Sequence, residues 1–265
     1  MNKRPPSITQ QQVAACLRPR PRDSHKGLFG TVTVIGGEAG MVGAALLAGR
    51  AALKMGAGCV HVGLLAEGAP LVDMVQPELM LHKAQDALAF AKTSVIPAKA
   101  GIQSDKNTRL PPSRERQNTV LAVGCGMGQS LTAQKLLTDA LRLSVPLVLD
   151  ADALNLLARH QDLQDDLRRR QAATVITPHP GEAARLLGIS TAEVQAARTE
   201  SAQRLAEKLH CSVVLKGADS VCATHAGKTY LNKTGNPGMS APGMGDVLTG
   251  MIAAFIAQGL AADDA

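Results

Sequence analysis

The chain has 265 residues, 45% hydrophobic and 19% charged, with no Trp, one Tyr and three Phe, so its core must be built from Leu, Val, Ile, Ala and Met. The net charge of +6 sits in two stretches, residues 1–26 (+5) and 93–118 (+3), which leaves a slightly acidic body with little aromatic surface for stacking bases and argues against nucleic-acid binding. No apolar run approaches the roughly 20 residues that span a bilayer, and the basic N-terminus lacks the apolar segment of a secretory signal, so the expected location is cytoplasmic and the five cysteines (16, 59, 125, 211 and 222) read as free thiols.

In chain order, short β-branched runs alternate with helical patterns. "TVTVIGG" is followed by a helix over 41–55, and then comes "CVHVGLL". Residues 93–118, with three prolines, seven charges and no sustained period, read as a disordered surface insertion. "TVLAVGCG" then precedes a helix over 130–143, "PLVLDAD" one over 153–159, and "ATVITPHPG" one over 182–187. A single helix is expected over 191–209, opened by Ser190 as cap with Glu193 returning the hydrogen bond. "SVVLKGADSVCATHAGKTYLN" reads as two strands joined by a "THAGK" turn. The alternation predicts one α/β domain over 1–265 with a mostly parallel sheet, helices on both faces and an antiparallel end.

The segment from Gly235 to Phe255, "GNPGMSAPGMGDVLTGMIAAF", holds five glycines and one carboxylate, four of the glycines ahead of an apolar helix that starts near Asp246 and closes at Gly259. The first N–H groups of a helix lack partners and carry partial positive charge, so a glycine-rich turn there can hold a phosphate-like anion. Asp246 read alone is equally an ordinary cap. "DADALN" places Asp150, Asp152 and Asn155 just past a strand, where open α/β sheets bind ligands.

Several blocks in order carry a resemblance that covers most of the chain: "GTVTVIGGEAGMVGAALLAGRAALKMGAGCVHVG", "PLVLDADALNLL", "VITPHPGEAARLLG", "VVLKGADSVCA" and "KTGNPGMSAPGMGDVLTGMIAAFIAQG". Together they resemble the ADP-dependent (S)-NAD(P)H-hydrate dehydratases of the ribokinase-like superfamily. The resemblance implies repair of hydrated NADH or NADPH at the expense of ADP or ATP, with Mg2+. It implies Asp246 as the catalytic base and Gly243 and Gly245 as the anion hole. The hydrate would be bound by Ala44, Gly126, His179 and Asp246, and the nucleotide by Lys216, Gly217, Ala218, Asp219, Ser220 and Gly245. Glu182 would act on the metal through water. Read without the resemblance, Glu182 is a first-turn helix carboxylate, His179 a solvated loop histidine and Lys216–Ser220 a hairpin turn.

The resemblance further implies a homotetramer and functional pairing with a separate NAD(P)H-hydrate epimerase. Three departures stand out. The family's "GPGLG" loop reads "GCGMG" here, which is expected to loosen it; Pro242 removes one N–H beside the anion site; and the sequence stops at "GLAADDA", where relatives continue into a further helix. The same residues also fit a vitamin-precursor kinase of the superfamily, or an inactive nucleotide-binding remnant.

Overall fold

The structure, a computed structural model, describes residues 5–17, 19–93 and 118–265. The expected insertion therefore lies almost wholly outside the described residues. In chain order the elements are α1 (Gln10–Cys16), β1 (Thr31–Gly36), α2 (Val42–Lys54), β2 (Cys59–Leu64), β3 (Met80–Lys83), α3 (Ala84–Thr93), β4 (Thr119–Val123), α4 (Leu131–Leu141) and β5 (Leu147–Leu149). There follow α5 (Asp152–Arg159), α6 (Gln161–Arg168), β6 (Thr174–Ile176), α7 (Pro180–Leu187), α8 (Thr191–Ala196), α9 (Arg198–Leu209), β7 (Ser212–Leu215), β8 (Ser220–Ala223), β9 (Thr229–Asn232) and α10 (Met244–Ala257).

The strands form one sheet in the order β3-β2-β1-β4-β5-β6-β7-β8-β9, parallel up to β7 and antiparallel across β8 and β9. Register keeps like with like: Val32 and Val34 of β1 lie beside Val60 and Val62 of β2, and Val32 lies beside Val120 of β4. Because side chains alternate across a strand and both faces are covered there, the interior strands β1, β4, β5 and β6 are buried along their whole length. Val32, Val34, Val120, Ala122, Val148 and Val175 pack under α2 and α10. Ile35, Leu121, Val123, Leu147, Leu149 and Ile176 point the other way, toward the cluster completed by α3, α4, α5, α6, α7 and α9.

Close approach needs small residues at two places on the first face. A Cβ added to Gly49 of α2 would stand 2.7 Å from Val62 Cγ2, and one on Gly250 of α10 would stand 2.0 Å from the Ala48 carbonyl oxygen. Beyond α6, the Arg170 guanidinium donates to the carbonyls of Leu141 and Leu143 and to Thr174 Oγ1, closing the open C-terminal end of α4. Pro6–Ile8 runs along β9, exchanging hydrogen bonds of 2.9 Å with Leu231, and covers that sheet edge.

Three expectations change. The helix expected over 191–209 is broken at Ala197 (φ −135°, ψ 52°), so it becomes α8 and α9, although the Ser190–Glu193 capping box is present as read. α10 starts at Met244, two residues before Asp246, because Gly243 at φ +89° supplies the cap. β3 and α6 were not anticipated: β3 is only four residues on the sheet edge, and α6 offers just two leucines, Leu163 and Leu167, to the core.

Candidate functional site

The strand order reverses direction between β1 and β4, with β2 and β3 on one side and β5, β6 and β7 on the other. Such a switch opens a crevice at the carboxyl ends of the strands. The segments that leave β1, β4, β5, β6 and β7 there are Gly36–Glu38, Gly124–Gly128, Asp150–Asp152, Thr177–Glu182 and Lys216–Ser220.

The β1 and β4 segments continue as a pair. Gly37 N–H donates to Cys125 O at 3.0 Å and Glu38 N–H to Gly126 O at 2.7 Å. Gly126 has φ +57°, and a Cβ there would stand 2.7 Å from Met41 O and 3.0 Å from Ala44 Cβ. Two of the residues expected to bind the hydrate, Ala44 and Gly126, are therefore neighbours at the start of α2. In the "GCGMG" loop Cys125 and Met127 are both fully buried, so their side chains pack into the core where the family's sequence has proline and leucine.

After β5 the chain turns through Ala151 at φ +50°, ψ −114°, an unfavourable conformation for a residue with a Cβ. That turn aims the two flanking carboxylates apart. Asp152 accepts from Gly128 N–H at 2.9 Å and from Asn155 Nδ2 at 3.3 Å, while Asn155 Oδ1 accepts from Arg185 Nε at 3.1 Å. Asp150 is 1% exposed and takes Lys216 Nζ on Oδ1 at 2.6 Å and Thr249 Oγ1 on Oδ2 at 3.0 Å.

His179 caps α7. Its Nδ1 accepts the Gly181 and Glu182 N–H groups, and Glu182 Oε2 returns a bond from His179 N–H at 2.7 Å. Pro180 at the first helical position suits the start of a helix. Glu182 Oε2 also lies 3.9 Å from Lys216 Nζ, and Oε1 lies 3.3 Å from His179 Nε2. Burial pushes the Glu182 carboxyl up to about 7 against the pull of Lys216. His179, whose ring stays exposed, is held below its ordinary value first by partial burial and then by the charges of Lys216 and Arg185.

Asp246, third residue of α10, completes the group. Partial burial raises its carboxyl above the usual range, the Cys125 thiol donates a hydrogen bond that opposes the rise, and the charge of Asp150 adds to it while that of Lys216 subtracts. The Cys125 thiol is itself held well above its ordinary value by burial. Gly245 lies close against this pair, since a Cβ there would stand 3.2 Å from Lys216 Nζ and 3.3 Å from Asp150 Oδ2.

Of the predicted site residues, Asp246, Gly243, Gly245, Lys216, Glu182 and His179 converge at this edge, with Ala44 and Gly126 across the crevice. Within Lys216–Ser220, the Lys216 side chain bonds into the acidic cluster, whereas Gly217, Ala218 and Asp219 are exposed. That loop is fixed from behind by Arg198, which donates to the carbonyls of Leu215 and Lys216 at 3.1 and 3.3 Å. Thr249 and Cys125 were missed as site residues. A lone Thr in an apolar helix and a Cys in a glycine loop carry no motif; only the fold brings them to a carboxylate.

Among the described residues, no three His, Cys, Asp or Glu side chains are arranged to hold a metal ion. Both Glu182 oxygens are engaged within the protein. This donor set fits a magnesium ion held by nucleotide phosphates and touching the protein through its own waters, which Mg2+ retains readily. It does not fit an all-protein cage.

Comparison with known proteins agrees with this geometry. A sequence profile described as NAD(P)H-hydrate dehydratase matches residues 32–265. The chain belongs to the NAD(P)H-hydrate dehydratase family. It is 40% identical over 94% of its length to a bifunctional NAD(P)H-hydrate repair enzyme of Coxiella burnetii, of which it spans 45%. It is 37% identical over 92% of its length to an ADP-dependent (S)-NAD(P)H-hydrate dehydratase of Neisseria meningitidis, of which it spans 75%. The crystal structure of the ADP/ATP-dependent NAD(P)H-hydrate dehydratase of Bacillus subtilis, co-crystallized with ATP/Mg2+, superimposes with a TM-score of 0.76 at 32% identity, over 100% of this chain and 84% of that one. The chain spans less than half the length of the bifunctional relatives it matches. The nine-stranded, mostly parallel sheet with helices on both faces is the ribokinase-like architecture expected from the sequence. No helix among the described residues is long and apolar enough to cross a membrane.

Proposed function

We propose that the chain dehydrates the S epimer of NADH or NADPH hydrate to NADH or NADPH, consuming ADP or ATP and releasing AMP or ADP with phosphate. The observation that carries this reading is Asp246 on the first turn of α10, half-buried beside Gly243 and Gly245 and facing the crevice where the strand order reverses. Hydroxide leaves poorly, and phosphate leaves well. The hydrate's hydroxyl attacks the terminal phosphorus, Asp246 takes the hydroxyl proton, and the oxygen bridging to the departing nucleotide breaks away with its electron pair. The ring nitrogen then expels phosphate from the carbon bearing it, and loss of a proton from the adjacent ring carbon restores the double bond.

An elevated Asp246 carboxyl is a better proton acceptor than an ordinary one, provided the pH keeps it ionised. The unpaired N–H groups of α10 face the phosphoryl group as its charge develops. Magnesium, when bound with the nucleotide, would neutralise phosphate charge, with Glu182 reaching it through water. Ala44 and Gly126 are assigned to the hydrate, and Gly217–Ser220 form the outer wall assigned to the nucleotide. We place an epimerase beside this activity to convert the R epimer into the S epimer that it consumes, which the bifunctional relatives support, and we retain a homotetramer as its assembly.

The test is recovery of reduced-nicotinamide absorbance from purified NADH hydrate with magnesium and ADP or ATP. Recovery that needs nucleotide and is lost in Asp246→Asn is the expected result. A stable phosphorylated product from a vitamin precursor, with no recovery from the hydrate, would turn the assignment to a kinase. Nucleotide binding with no turnover of either would leave an inactive remnant.

A further inference from the structure

Lys216 was expected to touch nucleotide as part of a loop motif. Its ammonium instead points back into the fold, 2.6 Å from Asp150 Oδ1 and 3.9 Å from Glu182 Oε2. The other oxygen of Asp150 accepts from Thr249 Oγ1, three residues past Asp246 on α10. The three residues thus tie the end of β5, the end of β7 and the first two turns of α10 together. Asp150 and Thr249 are sealed, whereas the Lys216 side chain is 21% exposed. Above its Nζ stands the bare backbone of Gly245, where a methyl group would come to 3.2 Å.

The pair is open on the lysine side, and the opening lies beside Gly245 in the first turn of α10, whose N–H groups have no helical partner. We propose that Lys216 is the cation that α10 sets against the phosphoryl group in transfer, and that Asp150 and Thr249 are positioning residues acting through it. This rests on the dehydratase reading above only in naming the group transferred. The pair is neutral in the resting site, so a full positive charge is stored beside the anion turn without a buried, unpartnered ion. When the terminal phosphate arrives, the ammonium shares its three protons between Asp150 and the phosphoryl oxygens and keeps all of them. Thr249 holds Asp150 in place, so that Lys216 cannot follow the anion outward and the stabilisation is preorganised.

The test compares ADP and AMP, since AMP lacks the phosphate that would face Lys216. Titration calorimetry with magnesium is run on the native chain and on Lys216→Met, Lys216→Gln, Thr249→Val and Thr249→Ser, with hydrate turnover measured alongside. Lys216→Met and Lys216→Gln should each weaken ADP by about tenfold or more, as expected for a lost hydrogen bond to a charged group, while leaving AMP within about twofold. Both should lower kcat more than they raise KM for the hydrate. Thr249→Val should move the ADP-to-AMP ratio the same way by a smaller factor, and Thr249→Ser should restore it. Equal weakening of ADP and AMP by the lysine variants would overturn the assignment of Lys216. A Thr249→Val protein of lowered melting temperature but native ADP-to-AMP ratio would overturn the positioning role. The binding arm stands even if the native chain restores no NADH, in which case the dehydratase reading fails and the lysine assignment is still decided.

Discussion

Replacing Gly250 by Ala sets two effects of opposite sign against each other. In an exposed helix the change is favourable by about 1 kcal/mol, because Ala costs less backbone entropy. Here the new methyl carbon would lie 2.0 Å from the Ala48 carbonyl oxygen, against a normal carbon–oxygen contact of about 3.3 Å. The obstacle is backbone and no rotamer change relieves it, so α10 must retreat from α2 by about 1.3 Å, a shift set by that contact limit. Overpacking of this kind costs about 1–3 kcal/mol, and a clash with backbone belongs at the upper end. The net expectation is a loss of about 2 kcal/mol, or about 4–8 °C in Tm for a chain near this size. Thermal unfolding followed by circular dichroism measures it directly. Because α10 also bears Asp246 and Thr249, kcat/KM should fall at temperatures where the variant is fully folded. A Gly250→Ala protein with unchanged or higher Tm would show that the two helices have slack between them, and would refute the packing argument.

Asp246 must be ionised to accept a proton, and burial raises its carboxyl, so kcat/KM should fall on acidification with a midpoint above the ordinary carboxylate range; a profile flat down to pH 4 would refute that role. Glu182 holds its proton in the fold up to about pH 7 but releases it near 4.5 when unfolded. Its burial therefore costs nothing below pH 4.5, and native stability declines between those values as pH rises. Glu182→Gln should gain on the native chain across that window, by at most about 3 kcal/mol, and hold the gain above it; urea midpoints against pH without nucleotide test this. Arg170→Met removes a guanidinium that closes α4 and is remote from the crevice. It should lose about 2–4 kcal/mol of stability while kcat/KM stays native at low temperature, and a selective loss of activity would contradict its structural role.

What the sequence disclosed follows from where its physics is local. "TVLAV" and "LVL" are almost continuously apolar, which marks them as interior parallel strands before any pairing is known. The glycines of "GCGMG" and Gly243 adopt the positive φ values that their residue type permits, and the Ser190–Glu193 box closes within three residues. β3 escaped because "MLHK" is four residues long and half polar, and it becomes a strand only by lying beside β2. The break at Ala197 has no Gly or Pro to announce it. It coincides with Arg198 reaching the carbonyls of Leu215 and Lys216, a contact made across the fold. The glycine-rich turn before Asp246 was legible because its residues are adjacent in the chain, whereas the partners of Asp150 lie 66 and 99 residues away in sequence.

Chemistry in most enzymes is carried by loops that can drift while the scaffold stays fixed. Here the proposed base, Asp246, stands on a helix whose remaining faces are spent on filling the space between α2 and the sheet, with Ile252, Ala253 and Ala254 all buried. Selection on catalysis and selection on folding therefore act on the same turns of α10, and a change at one of its core positions is felt at the crevice as a displaced carboxylate.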